Sequence, residues 1–254
     1  MKVAFIPARG NSQGIPLKNI QRLQNVPLVE WATTLANLSG EIDKLVLSTD
    51  DERIIEADAN FRQHIDEFRG LNPGDSAEVS HRKVIHKRIS EHASNSSKTI
   101  DCMMQFADTQ QLSDSDVIVL LQPTAPFRSL KELKEIILKM ELSGYQSVGS
   151  ATIFDSPHPS KAFLISEENS EIDSTFLRNL ATPRQELPTY FVFDGAYYLN
   201  SIGNLRMHSS IVNESTHIVS REGFETINID NTNDLNYARY VSEEMNMFGK
   251  LNTM

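Results

Sequence analysis

At 254 residues, 39% hydrophobic and 23% charged, the chain is long enough to bury one large core, alone or with a small appended lobe. Its formal net charge of −10 excludes a general binder of nucleic acid or of anionic membranes, since both need a positive surface field. Any anionic ligand must be met by local cations.

The single cysteine, Cys102, cannot form an intramolecular disulfide, which fits a reducing cytoplasm. The apolar run Val3 to Pro7 is too short for a signal peptide, and no apolar stretch reaches spanning length, so the expectation is a soluble, unexported, cytoplasmic protein.

In chain order, Val3 to Ile6 reads as a strand buried on both faces, followed by a loop with Gly10 and Gly14. Pro27 to Ser39 reads as a helix: proline suits its first turn, Leu28, Trp31, Leu35 and Leu38 share a face, and Gly40 follows. A second buried strand at Leu45 to Leu47 leads through "LSTD" to a helix over Asp51 to Asn60, where Asp51 and Glu52 favour the positive helix end. Residues 61 to 87 resemble an insertion, a surface loop or a lid, with a turn at Asn72-Pro73-Gly74-Asp75. Its histidines and a neighbour, His64, His81, His86 and His92, lack helical ligand spacing and read as solvated loop residues. Val117 to Leu121 is a third buried strand, and Ser129 with Glu132 is spaced as a capping box for a helix that Gly144 ends.

From Ser147 the texture changes. Strand-like pieces at "SVGSATIF", "KAFLIS", "YFVFDGAYYLN" and "TINID" alternate with polar loops, and a last helix runs from Asn233 to about Met245. Alternating strands and helices imply an α/β fold with a mostly parallel sheet, one domain over 1–254, and a smaller irregular lobe over about 145 to 190.

In an open parallel sheet, ligands sit beyond the carboxyl ends of the strands, which makes the first loop a candidate site. It carries neither a G-x-G-x-x-G nor a Walker loop, so its glycine spacing argues against a dinucleotide-binding oxidoreductase. Gly10 and Gly14 let the backbone curl, and Arg9 and Lys18 supply a fork and a point charge suited to a polyphosphate. The alternative is a surface turn with two solvated cations. Gln122 follows the strand "DVIVLL", which places its amide at the carboxyl edge of the sheet; Pro123 and Pro126 also serve as strand terminators.

"IPARGNSQGIPLKNI" resembles the nucleotide-binding signature of the acylneuraminate cytidylyltransferase family, enzymes that activate keto-sugar acids as CMP-sugars. "LVLSTDDERI", "LLQPTAPFRS", "TPRQELPTYFVFDGAYYLN" and "TINIDNTNDL" follow in the family's order, and the likeness spans nearly the whole chain apart from the insertion.

The resemblance implies a three-layer, Rossmann-like nucleotidyltransferase fold and transfer of CMP from CTP to the anomeric hydroxyl of a nine-carbon keto acid, with loss of pyrophosphate. In that reading Arg9 and Lys18 grip the triphosphate. Ser12, Gln13 and Asn19, with Gly10, complete the loop. Ala8, Arg88 and Thr99 address the cytosine, though a family Asp is replaced by Asn95 beside them. Gln122 lies over the nucleotide near the acceptor sugar. Arg184 and Lys161 meet the sugar carboxylate, and Gln185, Asp194 and Tyr198 address hydroxyl or N-acyl groups; for Tyr197 and Tyr198, core packing is an equal alternative. The lobe is expected to pack on a partner in a homodimer, and His158 lines the sugar pocket.

The family pattern for Mg²⁺ is Asp-x-Asp, and this chain has Asn228-Ile229-Asp230, so one acid has become an amide. Where the family commonly has Lys after the serine, the chain has Gln13. The two losses balance in charge and predict weaker or more metal-demanding catalysis. They also motivate a second reading, an impaired homologue that binds nucleotide or sugar. A third is the same chemistry on an eight-carbon 3-deoxy-octulosonate acid.

Overall fold

The computed structural model describes residues 1–12, 14–60, 83–88, 98–165 and 182–245. Among them the strands are β1 (Lys2–Pro7), β2 (Arg22–Leu23), β3 (Val26–Pro27), β4 (Lys44–Thr49), β5 (Lys83–Lys87), β6 (Val117–Leu120), β7 (Ser147–Ile153), β8 (Phe191–Ser201) and β9 (His217–Arg221). The helices are α1 (Leu28–Leu38), α2 (Glu52–Ala57), α3 (Thr99–Thr109), α4 (Leu130–Ser143), α5 (Ile202–His208) and α6 (Thr232–Met245).

Seven strands form one sheet in the order β5-β4-β1-β6-β8-β7-β9, and β2 and β3 form a small ribbon. β1 is parallel to β4 and β6, β5 is parallel to β4, and β9 is parallel to β7. β8 is antiparallel to both its neighbours. The sheet is therefore parallel apart from one strand, as the alternation of strands and helices implies.

Successive side chains of a strand point to opposite faces, and here each face has its own core. Ala4, Ile6, Leu45, Leu47 and Val119 join residues of α1, α4 and α6 on one side. Val3, Phe5, Val46, Ile118 and Leu120 join α3 and α5 on the other. Two helical layers thus sandwich the sheet, which explains the unbroken apolar run of its central strands. Trp31 of α1 is closed to solvent and packs edge-on against Phe127, with ring centroids 5.7 Å apart.

The helix signals hold where they were read. Ser129 and Glu132 cap α4 reciprocally, with Glu132 N–H donating to Ser129 Oγ at 3.1 Å and Ser129 N–H donating to Glu132 at 3.3 Å. Gly144 ends the helix in the left-handed region at φ 68°. Asp51 caps α2 by accepting from Arg53 N–H at 2.9 Å.

Other expectations are corrected. Residues 83–87 of the supposed insertion form β5, whose Cα partners on β4 run from Leu45 to Thr49; the remainder, 61–82, lies outside the described residues. His86 is therefore a strand residue, 3.0 Å from Ser48 Oγ and packed on Phe5 and Phe106, while His64, His81 and His92 lie outside the described residues. β7 belongs to the main sheet, which narrows the irregular lobe to an arm whose described parts are 154–165 and 182–190. Lys161 closes a 3-10 turn rather than opening a strand, and the stretch around Asn228 lies outside the ladder, following a 3-10 turn at Gly223–Thr226.

Candidate nucleotide site

The carboxyl ends of β1, β5 and β6 open into a cleft of about 430 Å³. Its lining brings together nine of the residues singled out from sequence: Arg9, Ser12, Lys18, Asn19, Arg88, Thr99, Gln122, Asn228 and Asp230. They come from five separated stretches of chain, and the sheet topology assembles them. Three cations, Arg9, Lys18 and Arg88, face one lining carboxylate, Asp230. In a chain of net charge −10, that local excess is the electrostatic mark of an anion site.

The loop after β1 is tied at several points. Ala8 N–H donates to Ser48 O at 2.8 Å and Gly10 N–H to Asp50 Oδ1 at 2.9 Å. Asn19 is buried and donates its amide to Arg9 O at 2.9 Å, so it shapes the loop that carries Arg9. Ala8's amide, given to β4, is likewise structural. Gly14 touches the far side of the cleft, where a Cβ would lie 2.4 Å from the backbone oxygen of Asp230. Only glycine fits that approach. Gln13 lies outside the described residues.

Arg88 leaves β5 and donates from Nε to Ser48 O and Oγ, each at 3.2 Å. Burial lowers its affinity for its proton, Cys102 and Asp50 oppose that, and neighbouring Arg9 adds to the lowering. Thr99 is the first residue of α3, which brings a helix start to the cleft wall. Asn95 lies outside the described residues.

Gln122 follows β6 and is fixed through its backbone. Arg128, wholly buried and lowered by that burial to about 10, donates to Gln122 O at 2.6 Å and to Ala196 O at 2.7 Å. The Gln122 side chain approaches Gly195, where φ is +76° and a Cβ would lie 2.9 Å from Gln122 Oε1 and 3.3 Å from Asn228 Oδ1. Arg128 carried no signal of this role in the sequence, although it is the penultimate residue of the motif "LLQPTAPFRS".

Asp230 is held from two sides. Lys18 Nζ donates to Asp230 Oδ1 at 3.2 Å and to Ile229 O at 2.8 Å, and Asn228 Nδ2 donates to Asp230 Oδ2 at 3.1 Å. Asn228 Oδ1 is buried without a partner. Among the described residues no group of three His, Cys, Asp or Glu can hold a metal alone. The donor set still suits Mg²⁺, which takes hard oxygen ligands and commonly pairs one carboxylate with substrate phosphates. Asp230 is the anchor it offers; Asn228 braces that carboxylate through Nδ2 and keeps Oδ1 as a neutral oxygen donor.

The sugar-side expectations divide. Asp194 is corrected: its carboxylate is closed to solvent, accepting from Ser150 Oγ at 2.5 Å, Ala196 N–H at 3.0 Å and Arg221 Nη1 at 2.8 Å. A buried charge is kept only when paired, and this one is paired inward. Tyr197 fills the core on the α1 face, donating to Glu132 Oε2 at 3.1 Å. Tyr198 packs on the opposite core, and burial first, then Asp194, pushes its hydroxyl up to about 12. Neither lines the cleft. Lys161 donates to Thr182 O at 3.2 Å, Arg184 pairs with Asp155, and Gln185 shares the Arg184–Glu186 turn; all three stand on the arm outside the cleft lining. His158, also on the arm, donates from Nε2 to Pro188 O at 3.1 Å and accepts at Nδ1 from Ser160 N–H at 3.2 Å.

The three-layer architecture with a cationic cleft at its strand ends is that of an open α/β protein with its cleft where such sheets hold ligands. A family model described as cytidylyltransferase matches residues 3–163, and the chain belongs to that family.

It is 33% identical over 147 residues to N-acylneuraminate cytidylyltransferase A of Danio rerio, covering 58% of this chain and 29% of the relative. It is 28% identical over 199 residues to a pseudaminic acid cytidylyltransferase of Campylobacter jejuni, covering 78% of each. The chain thus spans under a third of the length of the fish relative. In fold it matches a CMP:2-keto-3-deoxy-manno-octonic acid synthetase complexed with CTP, at TM-score 0.62 and 12% identity, over 96% of this chain and 99% of that one. No helix among the described residues is long and apolar enough to cross a membrane.

Proposed function

We propose that the chain transfers CMP from CTP to the anomeric hydroxyl of a sialic-acid-like nonulosonic acid, releasing pyrophosphate. The observation that carries this reading is the cleft itself, in which Arg9, Lys18 and Arg88 converge at the strand ends against one carboxylate. The relatives named for N-acylneuraminate and pseudaminic acid support the nine-carbon class.

In such a transfer the hydroxyl oxygen bonds to the α-phosphorus as the bond to the β-phosphate bridge breaks. Catalysis is then mainly alignment and charge neutralisation. Arg9 offers a planar fork and Lys18 a point charge to the triphosphate. Thr99 and Arg88 stand on the wall available to the base, and Gln122 at the sheet edge orients the acceptor. Mg²⁺, when bound at Asp230, supplies further neutralisation of the phosphates.

The arm supports the expected homodimer. Phe154, Phe163, Leu164, Ile165, Phe191 and Val192, on the arm and the start of β8, are each at least 40% exposed, apolar surface of the kind a partner covers. Lys161, Arg184 and Gln185 share this arm and serve the sugar carboxylate and hydroxyls once it is packed. The single cysteine, which is buried and in no disulfide, suits a cytoplasmic location.

Asn228 favours one alternative, an impaired homologue that binds nucleotide without turnover. Pyrophosphate release from CTP and Mg²⁺, across nine-carbon and eight-carbon keto acids, separates the two. Release with one acid establishes the transferase. CTP binding without release from any acid establishes the binding protein.

A further inference from the structure

The cation and the anion that a nucleotide site must offer separately are here bound to each other. Lys18 Nζ reaches Asp230 Oδ1 at 3.2 Å, with the rest of its reach fixed by Ile229 O at 2.8 Å, and its side chain is only 15% exposed. The second carboxylate oxygen accepts from Asn228 at 3.1 Å. Both oxygens of the one carboxylate lining the cleft are therefore engaged by donors. A second cation approaching Asp230, whose side chain is 69% exposed, meets the Lys18 ammonium at close range, where like charges repel even through solvent screening.

We propose that this pair is an exchange latch. A nucleotide's phosphates draw Lys18 away from Asp230, and the freed carboxylate then accepts a divalent cation. Asn228 makes the latch effective because it is neutral: it orients Asp230 through Nδ2 and adds no charge to hold a cation before the nucleotide arrives. Nucleotide and cation binding are then positively coupled, each strengthening the other by the same factor. The inference rests on the proposed nucleotide and cation reading of the cleft.

The test uses Mn²⁺ alone, followed by the resonance of the free ion, on the whole chain without nucleotide. K18Q binds Mn²⁺ about tenfold more tightly than the natural protein, because the competing charge is gone. K18R, which keeps that charge, stays at the natural level, and the double change K18Q with D230N loses the gain. Equal Mn²⁺ binding by the natural protein and K18Q overturns the latch, as does a gain that survives D230N. Calorimetry of CTP with the natural protein, in EDTA and in Mg²⁺, is run alongside. Absent CTP binding in both overturns the nucleotide reading, whereas CTP binding with a flat Mn²⁺ series overturns the latch alone.

Discussion

Arg221 and Asp194 form an ion pair of 2.8 Å whose side chains are 2% and 0% exposed, directly behind the wall of the cleft. Arg221 also donates to Glu132 Oε1 at 2.9 Å and to Phe127 O at 2.7 Å. Burial works against its charge, but Glu132, Tyr197 and Asp194 more than offset that and raise its pKa. Removing one partner leaves the other charge buried and unpaired. R221M is therefore expected to destabilise by about 3–5 kcal/mol, read as a lower urea midpoint with unchanged slope. An Asp194 free to bind sugar would instead leave the midpoint in place.

A second buried pair gives a pH signature. Asp58 accepts from Lys83 Nζ at 2.8 Å and from Thr33 Oγ1 at 2.8 Å with its own side chain closed to solvent. Burial raises its pKa, with Lys83 and Thr33 opposing. A carboxyl whose folded pKa is raised binds more protons folded than unfolded, so its contribution to stability falls as pH rises through that folded value. K83M removes the main opposing charge. Its loss relative to the natural protein is expected to be about 3–5 kcal/mol at neutral pH and to shrink as acid protonates Asp58, checked by urea denaturation across pH.

At the cleft, R9M should weaken CTP binding by about tenfold to a hundredfold, the scale of a lost charged hydrogen bond of roughly 1.5–3 kcal/mol. Raising salt should reduce the difference between the variant and the natural protein. Calorimetry at two ionic strengths checks both. An unchanged affinity would return Arg9 to the status of a solvated turn residue.

Gly14 provides a backbone test of the same loop. A Cβ there would meet the Asp230 carbonyl at 2.4 Å, and a carbonyl cannot swing aside as a side-chain tip can. G14A is expected to displace the loop and weaken CTP by about tenfold or more, while the urea midpoint moves little. Full CTP affinity in G14A would show that the loop does not need this approach.

The sequence disclosed the elements whose pattern is local. β1, β4 and β6 have unbroken apolar centres because helices cover both faces, and α4 announces itself by its capping box and Gly144. The first loop was legible because Arg9, Gly10, Gly14 and Lys18 crowd into one turn of chain. α3 was missed although Ile100, Met103, Phe106 and Ala107 repeat at helical spacing, since its N-cap is Lys98 and no usual start signal precedes it. β5 was hidden by "KVIHK", whose half-buried edge position needs no apolar run. Asp194 misled for another reason. Its partner Arg221 lies 27 residues away, and only the pairing of β7 with both β8 and β9 shows that the carboxylate turns inward.

The central claim is that the cleft activates a nine-carbon keto acid with CTP. The most direct measurement is pyrophosphate release from CTP and Mg²⁺ with a panel of nine-carbon and eight-carbon acids. Release with a nine-carbon acid, reduced in R9M at subsaturating CTP, is the predicted result; a folded protein that releases pyrophosphate with no nine-carbon acid would contradict it.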